Sequence, residues 1–144
     1  MLEEEALTSW ICDTLENDST LMGMLNGGIV GEAFRGTSAS PFVAVQRLDV
    51  EDLMVIGLHR VWTDTVYHVW AAFHWRGSGR PDRTEVDEIA QRIDDLLHDA
   101  EDTTADFSIH SFREEPEPTP VVVEPQGGLW LQSGGLYRLR AAAV

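Results

Sequence analysis

The chain has 144 residues, with 25 acidic and ten basic side chains, a formal net charge of −15 and a hydrophobic fraction of 43%. That length suits one domain with one real core, and five Trp and five Phe exclude a chain kept disordered by its charge. Nothing approaches the ~18 apolar residues of a membrane span, no basic patch large enough for duplex DNA is visible, and the single Cys12 allows neither an internal disulfide nor a metal quartet.

All the basic residues are arginine, and lysine is absent. This usage fits a GC-rich genome, and the acidity also fits adaptation to high salt. The N-terminus begins Glu3-Glu4-Glu5, where a secretory signal would be basic and then apolar, so a soluble, cytoplasmically made product is expected.

From Leu2 to Asn17 the apolar residues Leu7, Ile11 and Leu15 recur every fourth position, with Ala6 and Trp10 beside them, which predicts an amphipathic helix. Asp18 or Ser19 then caps a short helix carrying Leu21, Met22 and Leu25, and Asn26-Gly27-Gly28 supplies a left-handed stop. A strand from Ile29 to Phe34 and a polar loop from Arg35 to Ser40 follow. Three strands are predicted next: Phe42 to Leu48, Leu53 to Trp62, and Thr65 to Arg76. In the third, Tyr67, Val69, Ala71, Phe73 and Trp75 alternate with His68, Trp70, Ala72 and His74, so the odd set faces the core and the even set faces something else.

Gly77 to Asp82 breaks the chain, and Thr84 with Asp87 approximates a capping box. Val86, Ile89, Ala90, Ile93, Leu96 and Leu97 form the clearest helical stripe, expected to lie across one sheet face and to meet the first helix there. Phe107 to Arg113 reads as a strand and Glu114 to Pro120 as an extended, proline-rich segment. Val121-Val122-Val123 and Leu129-Trp130-Leu131 read as a hairpin arm, and Leu136 to Ala143 as a last strand. The fold class expected is α+β: a mainly antiparallel mixed sheet packed by an N-terminal helix and one long central helix, with a protruding C-terminal β-hairpin, all in a single domain over residues 1–144.

Chemistry finds little purchase. His68 and His74 share a strand face but stand roughly 20 Å apart at ~3.3 Å per residue, too far to chelate one ion. Gly27-Gly28 and Gly77-Ser78-Gly79 complete no phosphate-loop pattern, and there is no lysine to reach a phosphate. Asp94-Asp95 and Glu101-Asp102 are sequence neighbours, so on a helix they diverge by about 100° and do not converge as a general acid and base. Serines of the 37–40 loop lack a Gly-x-Ser-x-Gly elbow, and Cys12 reads as a structural thiol. A protein without catalytic residues, cofactor or metal is expected.

The remaining signal is surface. Trp62, Trp70 and Trp130 are large apolar residues placed where a chain of this size struggles to hide them. Asp94, Asp95, Asp99, Glu101 and Asp102 crowd the C-terminal end of the long helix, where the dipole disfavours them. An arginine-bearing neighbour would offset them, and Arg35, Arg47, Arg76, Arg80, Arg138 and Arg140 are the residues for it. Acid on one side and arginine on another suits a head-to-tail ring. Asp95, Asp99 and Asp102 are the acidic candidates for that contact.

The stretch from Asp18 to Arg47 resembles a known family. An Asp-started short helix ending in Gly-Gly, then Pro41-Phe42-Val43-Ala44-Val45-Gln46-Arg47 entering a strand, all after an amphipathic first helix, is similar to the tail terminator or tail completion proteins of long-tailed viruses of prokaryotes. The resemblance implies a virion protein assembled in the host cytoplasm. It would form a ring, a homo-hexamer, on the completed tail tube, ending tube growth and presenting a docking surface to the head-closure or connector protein. Viral DNA would pass through the lumen without specific binding, and no membrane is involved. The 35–40 loop and the 114–133 excursion would supply ring or tube contacts, although the proline-rich segment and hairpin are longer here than the pattern suggests. Another neck component, such as a head-closure or connector subunit, is the nearest alternative reading. A small cytosolic ligand-binding or regulatory domain is the one from a different class.

Overall fold

The computed structural model describes residues 3–31, 39–55, 59–77, 79–116, 121–123 and 129–143. Among these residues three helices, α1 (Glu3–Glu16), α2 (Ser19–Met24) and α3 (Thr84–Leu97), accompany seven strands: β1 (Ile29–Val30), β2 (Phe42–Val55), β3 (His59–Trp75), β4 (Ala100–Thr103), β5 (Phe107–Pro116), β6 (Val121–Val123) and β7 (Leu129–Ala143). They form one sheet of order β1-β2-β3-β7-β5-β4, with β6 added beside β7. Among the described pairings only β1 with β2 is parallel, so the α+β class with a mainly antiparallel mixed sheet is what the chain adopts.

The helical stripes become one core. Leu7, Ile11 and Leu15 of α1, Leu21 of α2, and Val86, Ile89, Ile93 and Leu97 of α3 are completely buried, and they pack on Val43, Val45, Tyr67, Val69, Tyr137, Leu139 and Ala141 of the sheet. Period-two alternation delivers those sheet residues to one side. The odd-numbered residues of β3 from Tyr67 to Trp75 therefore do face the core, under the helices.

Asp18 starts α2 as expected: its carboxylate accepts from the Leu21 N–H at 2.8 Å and also binds the Arg92 guanidinium of α3 at 2.6 and 2.9 Å. The stop differs in detail. Leu25 is already extended, and the left-handed residue is Gly28, at φ 67°. Asn26 and Gly27 donate their N–H groups to the Pro41 carbonyl, and Val43 N–H donates to the Gly28 carbonyl, which fixes this turn to the start of β2. Gly27 lies so close to the Ala39 carbonyl that a Cβ has no room there.

Several expected boundaries move. The strands expected at 42–48, 53–62 and 65–76 are two long strands, because β2 runs through the acidic stretch Asp49 to Asp52 with a bulge between Arg47 and Asp49. Composition suggested a break there, but ladder pairing with β3 outweighs weak local strand propensity. The strand expected from Ile29 to Phe34 is described only as Ile29–Val30, the 32–38 segment lying outside the described residues. Thr84 does not cap α3; the N-cap position is Arg83, without a side-chain cap hydrogen bond, and Asp82 before it accepts from both the N–H and the hydroxyl of Thr84. After α3, Asp99 adopts φ 55° and turns the chain into β4, a strand not expected from sequence. The C-terminal hairpin forms, but its second half is the start of β7: Leu129, Trp130 and Leu131 pair with β6 on one side and with Trp75, His74 and Phe73 of β3 on the other. That arm is thus part of the sheet, and Leu131 is buried.

Arg92 and the Leu21 amide hold the Asp18 carboxyl below its ordinary value of 3.8. A depressed folded-state value means that its stabilisation is complete above the unfolded value and is lost as pH falls through the folded one. Asp18→Ala is expected to lower the unfolding free energy by about 1–2 kcal/mol in urea melts at neutral pH. Asp18→Asn should flatten the decline in wild-type stability below about pH 4.

Candidate interaction surface on the sheet face opposite the helices

The other side of the sheet has a different composition. Register places Ala44 and Gly134 opposite Trp70, Phe42 and Gln132 opposite Ala72, Trp130 opposite His74, and Gln46 and Leu136 opposite His68. Phe42, Ala44 and Ala72 are buried here, and Val30, Trp70 and Trp130 pack against them; no residue of α1, α2 or α3 belongs to this cluster. The rings form a strip: His68 stacks on Trp70 with centroids 4.2 Å apart, His74 stacks on Trp130 at 4.8 Å, and Trp130 tilts onto Phe42 at 5.6 Å. Arg76 Nε donates to His74 Nδ1 at 2.8 Å, which extends the strip to an exposed guanidinium.

Small residues make the strip possible. A Cβ on Gly134 would lie 2.6 Å from Trp70 Cα and 2.8 Å from its Cβ, against the Val69 carbonyl. Glycine here is a matter of close strand approach beneath the indole.

Further along the same face the charges are paired. Arg140 grips Asp64 with two hydrogen bonds, of 2.8 and 3.2 Å, and Arg138 lies 3.6 Å from Asp64 and 3.0 Å from Glu114. Asp64 is 9% exposed, and its hydrogen bond raises the Arg140 pKa above the ordinary range. These two arginines, expected to serve a neighbour, are engaged within the chain.

Four of the five acids expected to need a neighbour also have internal partners. Asp94 accepts from the Tyr137 hydroxyl at 2.9 Å and lies 3.6 Å from Arg113. Burial first, and then that carboxylate, holds the Tyr137 phenol well above its ordinary value. Asp95 accepts from Gln91, Asp99 meets His110 at 3.0 Å, and Asp102 accepts from Trp10 Nε1 at 2.8 Å. Asp99, Glu101 and Asp102 are moreover beyond the last residue of α3, Glu101 and Asp102 lying in β4.

Of the remaining candidates, Trp70, Trp130 and Arg76 meet on the strip, Arg47 is exposed on β2, and Arg80 is exposed in the β3–α3 connection. Trp62 has its backbone in β3, between Leu53 and Ala142; its side chain, like all of Arg35, lies outside the described residues. Sequence reasoning missed Phe42, Gly134 and Asp64 as parts of this face. Only Asp64 carried a signal, its even position in the β3 alternation.

Among the described residues no group of three His, Cys, Asp or Glu could hold a metal ion, and no helix is long and apolar enough to cross a membrane. Cys12 is half-buried, with its thiol pushed up by burial and by Glu16 and Asp13.

Gly134→Ala tests the close approach. Alanine normally suits a strand interior better than glycine, but here overpacking is expected to cost about 1–3 kcal/mol in chemical denaturation and to change the tryptophan emission of the native state. No family model matches the chain, and no curated protein matches it in sequence.

Proposed function

We propose that the protein is a structural subunit of a viral neck, a ring that caps the tail tube, ends its polymerisation and offers the head-tail joining surface. It acts by presenting shaped faces and makes or breaks no bonds. One ring face matches the last tube ring, and the opposite face accepts no further tube subunit. The site of action is the virion neck, after assembly in the host cytoplasm. The partners are copies of the chain in a homo-hexameric ring, the tube protein and the head-closure or connector protein, while viral DNA passes the lumen without specific binding.

The observation that carries this reading is the unlikeness of the two sides. The helix side presents exposed Glu85, Asp87, Glu88 and Asp95 along α3, whereas the sheet side presents half-buried Trp70 and Trp130 amid paired charges. A heterologous contact joins two different patches, and repetition around an axis closes it into a ring. Support also comes from the Asp18 to Arg47 stretch, whose turn is pinned to the Pro41 carbonyl. A strongly acidic chain further suits a lumen wall that must release phosphate.

Light scattering on the size-exclusion peak, at low and at molar salt, is expected to give a closed oligomer, and electron microscopy should show it bound at the ends of purified tail tubes. Trp70→Ala should weaken assembly about tenfold or more while the monomer stays folded by circular dichroism. A monomer at every salt and concentration, with no binding to tube ends, would defeat the proposal; binding to the connector alone would assign a different neck ring.

A further inference from the structure

At the end of the sheet where Phe107 pairs with Ala143, α1 and the β4–β5 turn enclose an open groove of about 400 Å³. Trp10 and Phe107 contribute apolar lining, and Asp13, Asp102 and Asp106 stand along it with no basic residue among the described lining. Asp102 is oriented by Trp10 Nε1 and the Thr103 N–H. The carboxylates of Asp13 and Asp106 are exposed and have no hydrogen bond or ion pair among the described residues.

An aromatic-lined acidic groove fits a guanidinium, which stacks on ring surfaces and bonds carboxylates at its edge. The chain has no lysine, so any side-chain cation it offers to a second copy, histidine aside, is an arginine. Arg76, Arg83, Arg92, Arg113, Arg138 and Arg140 have internal partners, as does Arg47. Among the arginines with described side chains, Arg80 is exposed and has none. It follows Gly79, which has φ 86° and where an added Cβ would meet nothing within 4 Å, so this segment faces open space.

Arg80 cannot reach its own groove. The segment is tied to the far end of the sheet, where the neighbouring Arg83 donates to the Gln132 carbonyl, and eleven residue-to-residue steps along β7 separate that point from Ala143, roughly 35 Å at ~3.3 Å per step. We infer that Arg80 of one copy seats in the groove between α1 and the β4–β5 turn of the next copy, with its guanidinium bound by Asp13 and Asp106 beside Trp10 and Phe107. The contact is head-to-tail, because donor and receptor lie at opposite ends of the strands. It rests on the self-assembly reading above and specifies one of its joints.

Charge reversal in the full chain tests it by analytical ultracentrifugation, with circular dichroism confirming the fold of each variant. Arg80→Asp and Asp106→Arg alone should each raise the dissociation concentration by about tenfold or more. The double variant, which exchanges the two charges, should recover most of that loss, as should an equimolar mixture of the two single variants. Single variants that assemble like wild type, or a double variant no better than the weaker single, would overturn this joint while leaving assembly intact. A wild-type chain that stays monomeric at every salt and concentration and binds no tube end would overturn both.

Discussion

The two-sided character of β3 is the constraint on which the rest depends. It pairs along its length with β2 on one side and β7 on the other, so every residue has a fixed side and fixed neighbours. One set, the odd positions from Thr63 to Ala71, is completely buried on the helix side; the other carries histidine and tryptophan that no described helix covers. A slip of one residue would exchange these sets, so the hydrophobic pattern itself defends the register.

Apolar burial holds the helices down, and a few polar contacts fix where they sit. Tyr67 reaches Thr8 of α1 at 2.6 Å, Tyr137 donates to Asp94 of α3, Trp10 of α1 donates to Asp102 of β4, and Arg92 of α3 clasps Asp18 before α2. Three of these four use an acid as acceptor. A hydrogen bond to a charged group is stronger than a neutral one, so part of the acidity that looks like surface decoration positions the helical layer. The same reasoning explains why Arg138 and Arg140 are not idle cations: Asp64 and Glu114 bind them across three strands.

What is left among the described residues after these internal pairings includes a half-buried aromatic strip, an acidic outer face of α3, a groove with two unpaired carboxylates, and Arg80. These belong to different ends and sides of the molecule. On the proposed reading as an assembling protein, their separation would suit contact between unlike patches of successive copies rather than a symmetric pair.

The residues themselves determined what depends on near neighbours in sequence. Val86, Ile89, Ile93 and Leu97 are buried where their spacing placed them, Asp18 caps α2, and Tyr67, Val69 and Ala71 face the core. Helix stripes, caps and strand alternation involve residues within about four positions, so the sequence alone contains them. Only the tertiary structure decided that β2 passes through its acidic stretch, that Asp99 turns the chain into β4, that Trp130 lies in the central sheet, and that Gly134 must be small. It also decided that Arg140 belongs to Asp64, 76 residues away. Pairings of that kind are set by ladder register between strands distant in the chain, and no local pattern encodes the register.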